Sequence, residues 1–226
     1  MNTPSRRKIF ALGLGALSAA LWQRAASGIN GEPNIDGLLE KTHAFLIALN
    51  APDLVPFLRD WPRTSQRRTS VPASLSVLRW LPQIKADAPS SSATLVGELS
   101  KLSTELTWHQ TYKQPAVGAA FLDSYGYTEL AGLSGPVPSQ RLACGFLVLG
   151  ASTIYPRHRH EADEIYVPLS GTAAWQHGNQ GWRKESSGTV IHHASNEPHA
   201  MRTGIQPLLA LYLWRSDNLN QTSRLD

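Results

Sequence analysis

The sequence predicts a mainly β protein, a sandwich or barrel preceded by a helical region, and three observations support this class. After residue 118, apolar runs of four to eight residues alternate with turn residues such as Ser170-Gly171. From about Asn34 to His109, apolar residues recur at helical spacing instead. The 226 residues include one cysteine, Cys144, which excludes an internal disulfide framework and a cysteine-rich zinc module.

Residues 1–27 have the pattern of an export signal. A basic region with Arg6, Arg7 and Lys8 precedes an apolar stretch at 11–22 and small residues at 25–27. The paired arginines resemble the twin-arginine signal, and the apolar stretch is too short to span a bilayer. We expect export to the periplasm and a mature chain that begins near Gly28; a basic start followed by a buried helix is the alternative.

The formal net charge of +4 comes from this segment, which carries four cations and no acidic residue. Without it the charges balance to zero, so the basic character is not evidence for a nucleic-acid partner. No later apolar run reaches the 18 residues typical of a membrane span. We therefore expect neither nucleic acid nor, once the signal is removed, a membrane as partner.

Residues 28–117 are predicted to be mainly helical. Asn34 or Asp36 is a suitable N-cap for a first helix, and prolines at 52, 56 and 62 break the next stretch into short pieces. Two further amphipathic stretches lie at 75–81 and 95–106, and Ser90–Ser92 are available as caps for the second of them.

Residues 118–226 are predicted to form the β part. The candidate strands are the apolar runs at 142–149, 164–169, 172–176, 189–191 and 208–214. Short strands at this spacing are typical of an all-β sandwich or barrel. The sequence contains no P-loop, no dinucleotide-binding glycine motif and no nucleophile elbow.

A histidine cluster is the main functional signal. In His158-x-His160-x-x-x-Glu164, the two histidines point to the same side of a strand, and the glutamate can join them after a short bend. Two imidazoles and a carboxylate suit a divalent metal such as zinc, iron or manganese. A fourth ligand should come from another strand, with three candidates: His192, His193 and His199. His43, His109 and His177 are expected to be ordinary core or surface residues.

The cluster continues as H-x-H-x-x-x-E-x6-G, which ends at Gly171 and resembles the first motif of the cupin barrels. Gly188, Pro198 and His199 loosely match the second cupin motif. The resemblance implies a double-stranded β-helix, or jelly roll, with His199 as the fourth ligand of one divalent ion and with homodimers as a common assembly. His192 and His193 would then lie beside the ligands or in a loop.

Aromatic residues surround this motif. Tyr166 shares the inward face of its strand with Glu164, Tyr155 lies three residues before His158, and Trp214 lies on the last apolar run. A phenol has a pKa near 10, which a nearby divalent cation lowers, so that a phenolate can act as a base. The alternative is that these are ordinary barrel aromatics.

Beyond the motif, the sequence resembles the cupin-type dimethylsulfoniopropionate lyases. The resemblance covers roughly 105–215 and is carried mainly by three stretches: 155–171, 198–203 and 207–214. It implies a small-molecule substrate whose carboxylate binds a metal while a tyrosine removes the proton beside it, which releases dimethyl sulfide and leaves acrylate. The metal ligands implied are His158, His160, Glu164 and His199.

The same resemblance assigns the remaining roles. Tyr166 is the first choice for the base and Tyr155 the second, and Trp214 and Tyr155 provide an aromatic wall for the sulfonium cation. Two other functions keep the same fold: a different cupin metalloenzyme, an oxygenase or isomerase acting on a small carboxylate, and a non-catalytic periplasmic ligand-binding cupin. Dependence on oxygen separates an oxygenase from a lyase, because β-elimination consumes none.

Overall fold

The computed structural model of the protein describes residues 34–63 and 65–226. The predicted export segment, 1–27, lies outside the described residues. Residues 34–226 make up one unit, so the predicted helical region and the predicted barrel are two parts of the same unit. None of the helices in the described part of the chain has the length and apolar character that crossing a bilayer requires.

Short helices occupy the first part of this unit. The α-helices are α1 (Ile35–Ala48), α2 (Val55–Arg59), α3 (Leu81–Ala86), α4 (Ala93–Leu102) and α5 (Ala119–Asp123), and 3₁₀ turns span Pro52–Leu54 and Ser76–Trp80. Asn34 caps α1 as predicted, since its Oδ1 accepts a hydrogen bond of 2.8 Å from the Gly37 amide. Prolines occupy the first turns of α2 and α3, where an amide donor is not needed.

Ser92 precedes α4, but its hydroxyl does not cap the helix. It donates instead to the carbonyl of Leu169, at 2.5 Å. The expectation that the serines at 90–92 provide a side-chain cap is therefore wrong for Ser92. Its hydroxyl ties the start of α4 to the sheet.

Twelve strands follow in the described residues. They are β1 (Trp108–His109), β2 (Tyr125–Gly132), β3 (Val137–Pro138), β4 (Leu142–Leu149), β5 (Ile154–Arg159), β6 (Asp163–Ser170), β7 (Ala173–His177), β8 (Arg183–Glu185), β9 (Ile191–His193), β10 (His199–Thr203), β11 (Leu208–Arg215) and β12 (Arg224–Leu225). Four of the five predicted runs correspond to strands, whereas the run 189–191 meets β9 only at Ile191. The prediction of a mainly β chain with a helical N-terminal part is confirmed. The sheet begins earlier than position 118, because β1 pairs with β2.

These strands form two sheets. One has the order β1-β2-β4-β11-β6-β9, with β3 paired in parallel to β2, and the other has the order β12-β5-β10-β7-β8. Apart from that parallel pair, neighbouring strands are antiparallel. The connections β5 to β6 and β9 to β10 cross from one sheet to the other, as in a jelly roll.

The first sheet is buried on both faces, which explains the unbroken apolar run of β4. Leu142, Cys144, Phe146 and Val148 belong to a core cluster shared with the helices, whereas Leu147 and Leu149 belong to a second cluster. The second cluster also contains Trp175 and Met201 of the other sheet, so it fills the space between the sheets. Alternate residues of one strand therefore serve two cores, one under the helices and one inside the barrel.

Gly171, the glycine of the cupin motif, is required by the backbone. It has a φ of +79°, and a Cβ at this position would collide with the carbonyl oxygen of Pro207. A left-handed conformation without a side chain therefore ends β6 and allows the chain to turn towards β7.

Candidate metal centre

The two sheets bring the four predicted ligands together at one end of the barrel interior. His158 on β5 is directly opposite His199 on β10, so both side chains leave the same face of the second sheet. His160 follows the end of β5, and Glu164 projects from β6 of the first sheet. All four side chains are buried, with exposed fractions of 3% or less.

The ligand atoms converge on the Glu164 carboxylate. One ligand atom from each of the four residues lies within 4.8 Å of the other three. The Oε2 atom of Glu164 lies 2.9 Å from His160 Nε2 and 3.0 Å from His199 Nε2. The four side chains thus surround a single point.

Backbone carbonyls orient the three imidazoles. The Nδ1 atoms of His158, His160 and His199 lie 2.8, 3.1 and 2.8 Å from the carbonyl oxygens of residues 156, 162 and 197, respectively. A carbonyl only accepts hydrogen bonds, so each Nδ1 donates and Nε2 is left for the centre. Metal-binding histidines are typically held by this arrangement.

Burial and mutual charge favour the protonation states that ligands need. Burial lowers the pKa of His158 to about 3, aided by the neighbouring His199, so this imidazole is neutral at pH 7. Burial alone would raise the pKa of Glu164, but the neighbouring imidazoles of His160 and His199 outweigh it and hold that pKa well below its usual range. The carboxylate is therefore ionised.

The donor set fits one divalent ion. The buried Nε2 of His199 has no hydrogen bond among the described residues, although it lies close to the carboxylate, so a ligand atom is left unpaired in the interior. Three imidazole nitrogens and one carboxylate oxygen match zinc and its neighbours in the first transition series. The chain can thus hold a metal with His158, His160, Glu164 and His199.

A cavity of about 300 Å³ extends from this centre between the sheets. Five of the six tyrosines of the chain line it: Tyr125, Tyr127, Tyr155, Tyr166 and Tyr212. The sixth, Tyr112, packs its ring edge-on against Tyr155, with centroids 6.0 Å apart. The wall of the cavity is therefore aromatic and carries several hydroxyl groups.

Both tyrosines chosen from the sequence lie next to the ligands. The ring of Tyr155 stacks on His158, with centroids 4.3 Å apart, and its hydroxyl lies 3.3 Å from that of Tyr125. Tyr166 is two residues from Glu164 on the same face of β6. Burial and the Glu164 carboxylate raise the pKa of Tyr166 well above its ordinary value, so without a cation nearby this phenol is neutral.

Trp214 lines the cavity, but it also contacts two of the ligands. Its indole Nε1 donates a hydrogen bond of 2.6 Å to Glu164 Oε1, and its ring packs on His160 with centroids 4.2 Å apart. Sequence reasoning expected only a wall at this position. The structure adds that Trp214 holds the oxygen of Glu164 that faces away from His160 and His199.

Several cavity residues were not identified as site residues from the sequence. Strand β2 contributes Tyr125, Tyr127 and Glu129, which alternate along the strand and so face the same side. The spacing Tyr-x-Tyr-x-Glu was the available signal, but β2 lacks the continuous apolar run that marked the predicted strands. The C-terminal segment 219–223 also lines the cavity, and its polar composition gave no such signal.

The remaining histidines divide into two groups. His43 stacks on Trp61, His109 lies beside Tyr127, and His192 is exposed on β9. His193, in contrast, is fully buried on β9 and stacks on His199 with centroids 4.0 Å apart, and His177 packs against it. The position of His193 agrees with the expectation that it lies beside the ligands.

Comparison with known proteins gives related sequences and a related fold. DddQ of Ruegeria pomeroyi, a dimethylsulfoniopropionate lyase, is 38% identical over 110 residues, which cover 49% of this chain. DddL of Cereibacter sphaeroides is 32% identical over 127 residues, or 54% of this chain. The matched segments span about half the length of each of these curated relatives, 55% and 52%.

The solved structures extend the similarity over most of the fold. The crystal structure of the dimethylsulfoniopropionate lyase DddQ from Ruegeria pomeroyi DSS-3 superposes with a TM-score of 0.77 at 28% identity, and the match covers 86% of this chain and 96% of that one. The prediction of a cupin barrel is thereby confirmed. The family model described as dimethylsulfoniopropionate lyase matches residues 59–210, which include all four candidate metal ligands and both candidate tyrosines, and the chain therefore belongs to this family.

Proposed function

We propose that this protein is a metal-dependent carbon–sulfur lyase that converts dimethylsulfoniopropionate into dimethyl sulfide and acrylate. The observation that carries the proposal is the cavity lined by tyrosines that extends from the buried His158, His160, Glu164 and His199 group. A pocket of about 300 Å³ suits a small ligand. The identity of the substrate is suggested by the relatives that are named dimethylsulfoniopropionate lyases.

The two ends of the substrate have opposite charges, and the cavity offers a partner for each. The ligand group is at one end, where a bound divalent metal would supply Lewis-acid charge to the substrate carboxylate and lower the pKa of a neighbouring phenol. Glu129 also lines the cavity. Along paired strands, Glu129 is opposite Gly145, Gly145 opposite Tyr212, and Tyr212 opposite Tyr166. The backbones of Glu129 and Tyr166 are therefore three strands apart, a distance of about 14 Å across the sheet.

The sulfonium group has no hydrogen to donate, so it is best held by aromatic faces and a diffuse negative charge. Tyr127, Tyr212 and Trp214 present such faces in the cavity. The Glu129 carboxylate is fixed by hydrogen bonds from the amides of Ser134 and Gly135, at 2.7 and 2.8 Å. Its charge therefore stays on the cavity wall.

Tyr166 is the proposed base, because it lies two residues from Glu164 on β6 and lines the cavity. Its phenolate would take the proton from the carbon next to the carboxylate, and the electrons of that C–H bond would form the new carbon–carbon double bond. The carbon–sulfur bond breaks, and its electron pair leaves on the neutral thioether, so no general acid is required. Tyr155 is the second candidate, because it stacks directly on His158.

The test is direct. Purified protein is loaded separately with iron, zinc or manganese and mixed with dimethylsulfoniopropionate, and headspace dimethyl sulfide and dissolved acrylate are measured with and without oxygen. We expect equal amounts of both products at about 1 s⁻¹ or faster, independent of oxygen. Absence of both products with every metal would contradict the lyase function, and turnover only with oxygen would favour the cupin oxygenase.

We further propose that residues 1–27 export the protein through the twin-arginine route to the periplasm. The support is the pair Arg6-Arg7 followed by the apolar stretch at 11–22. Replacing both arginines with lysine should keep a fused reporter in the cytoplasm of a bacterial host. A reporter that is still exported would argue against this route.

A further inference from the structure

A second group of metal-binding side chains lies beside the first. It consists of His177 on β7, His193 on β9 and Glu197 in the turn before β10, and one ligand atom from each lies within 4.8 Å of the other two. We propose that this group is a second metal site, which binds a divalent transition-metal ion of the zinc class. The proposal goes beyond the lyase function and does not rest on it.

The buried ring of His193 is the strongest indication. The residue has no exposed surface, and neither ring nitrogen has a hydrogen-bond partner among the described residues. A buried polar atom without a partner carries a desolvation penalty, and such atoms are rare in folded proteins. A metal ion held with His177 and Glu197 would give one of these nitrogens its partner.

The strand register explains why the second group exists next to the first. His177 is directly opposite His199 on the β7–β10 pair, and His193 is directly opposite Glu164 on the β6–β9 pair. Opposite residues on antiparallel strands point to the same face. Each of these two histidines therefore lies one strand, about 4.8 Å, away from a ligand of the first centre.

The second group has the composition of a zinc site, and two of its side chains line a cavity. Two imidazoles and one carboxylate are a common zinc ligand set, with a fourth position open to water. His177 and Glu197 line an adjacent cavity of about 230 Å³, which leaves room for such a water. Arg183 also lines this cavity, but it pairs with Glu185 at 3.0 Å, so its charge is compensated.

Glu197 connects the two centres. Its side-chain Oε2 accepts a hydrogen bond of 3.1 Å from the Ala194 amide, which fixes the carboxylate, and its main-chain oxygen accepts the hydrogen bond from His199 Nδ1. Occupancy of the second site would therefore hold the residue that orients a ligand of the first site. The second ion thus has a structural role, close to the first centre but outside the cavity that takes the proposed substrate.

The experiment counts metal ions without substrate. Purified protein is stripped with a chelator, equilibrated with zinc chloride and desalted, and zinc per chain is measured by plasma mass spectrometry. We expect two zinc ions in the wild type, one in His160→Ala and one in His177→Ala. His43→Ala is the matched control, because His43 lies on α1 outside both groups, and it should retain two.

Cobalt provides a second readout. Cobalt(II) titration of His160→Ala should give visible absorption bands that saturate at one ion per chain. These bands should be absent from double variants that combine His160→Ala with Glu197→Gln or with His177→Ala. Glu197→Gln keeps an acceptor for the Ala194 amide, so it covers the case in which His177→Ala fails to fold. One zinc in the wild type, or two zinc ions retained in both His177→Ala and Glu197→Gln, would overturn the second site.

Discussion

Trp214 and Glu164 are directly opposite residues on β11 and β6, and the indole Nε1 of Trp214 donates a 2.6 Å hydrogen bond to Glu164 Oε1. The other carboxylate oxygen lies beside His160 and His199. The pair thus fixes which oxygen of Glu164 is free for a metal. A tryptophan that the sequence predicted to be part of a substrate wall also contacts a candidate metal ligand.

Trp214→Phe should therefore weaken metal binding. Phenylalanine keeps an aromatic face against His160 but removes the donor to Glu164, and loss of such a supporting hydrogen bond typically costs about 10–100-fold in metal affinity. Competition with a chromophoric chelator measures this affinity. Trp182→Phe is a suitable control, since Trp182 packs on Arg202 away from the ligands. Equal affinity in wild type and Trp214→Phe would show that the hydrogen bond does not support the centre.

Tyr166→Phe should lower kcat by about 10²-fold or more while metal content stays unchanged, because it removes the proposed base and none of the four ligands. Tyr155→Phe is the paired comparison: its ring can still stack on His158, and only the hydroxyl next to Tyr125 is lost. Initial rates of dimethyl sulfide release measure both variants. A larger loss in Tyr155→Phe than in Tyr166→Phe would transfer the role of base to Tyr155.

Glu129→Gln should raise KM for the sulfonium substrate several-fold with a smaller change in kcat. The glutamine oxygen can still accept the hydrogen bonds from Ser134 and Gly135, so the loop is kept and only the charge is removed. Inhibition by acrylate, which lacks the cation, serves as the internal control and should not weaken. An unchanged KM would exclude Glu129 from recognition of the sulfonium.

Removing the metal should destabilise the protein. An ion that binds only the native state stabilises it by about 4 kcal/mol at a thousandfold excess over its dissociation constant, which corresponds to about 10 °C in Tm for a chain of this size. Differential scanning fluorimetry with zinc and with chelator measures the shift. We expect the shift to shrink in His160→Ala and to persist in His43→Ala. A chelator-independent Tm in the wild type would be inconsistent with a buried metal centre.

Acid should destabilise the metal-free protein well above the pH at which carboxylates titrate. Burial lowers the pKa of His158 to about 3 and that of His193 to about 2, while both titrate near 6.5 in an unfolded chain. Below pH 6.5 the unfolded chain therefore binds protons that the native chain excludes. The free energy of unfolding should fall with decreasing pH, by up to about 1.4 kcal/mol per pH unit for each histidine.

Urea unfolding of the chelator-treated protein at pH 7, 6 and 5 measures this slope. His193→Phe removes one of these groups and keeps a ring against His199, so the slope between pH 6 and 5 should decrease by up to about 1.4 kcal/mol per pH unit, whatever the absolute stability of the variant. A flat profile in the wild type between pH 7 and 5 would contradict the neutral, buried state of these histidines.

The sequence predicted those parts of the fold whose signals are local. The apolar run 142–149 predicted β4 with its exact bounds. The H-x-H-x-x-x-E spacing predicted that His158, His160 and Glu164 lie together, as they do in the structure. His199 came from the resemblance to the cupin motif, because only the pairing of β10 with β5 sets it opposite His158. That pairing joins residues about forty positions apart, and no local pattern specifies it.

The features that the sequence did not predict also depend on contacts between residues distant in the chain. Strand β2 mixes tyrosines, a threonine and a glutamate with small residues, so its burial depends on the sheet around it rather than on its own composition. Ser92 was expected as a cap because the cap rule is local, but the carbonyl of Leu169 is brought to it by tertiary packing. The second role of Trp214 depends on the register of β11 against β6, which the sequence does not reveal.

The helices cover the outer face of β4, β6 and β11, and this has a consequence for how the protein can be divided. Leu209, Leu211 and Leu213 of β11 turn towards the helices, while Tyr212 and Trp214 of the same strand turn towards the cavity. A chain that lacked the residues before 118 would expose these leucines to solvent and would be prone to association. The helical part and the barrel should therefore be expressed and engineered together, because β6 and β11 pack against the helices on one face and line the cavity on the other.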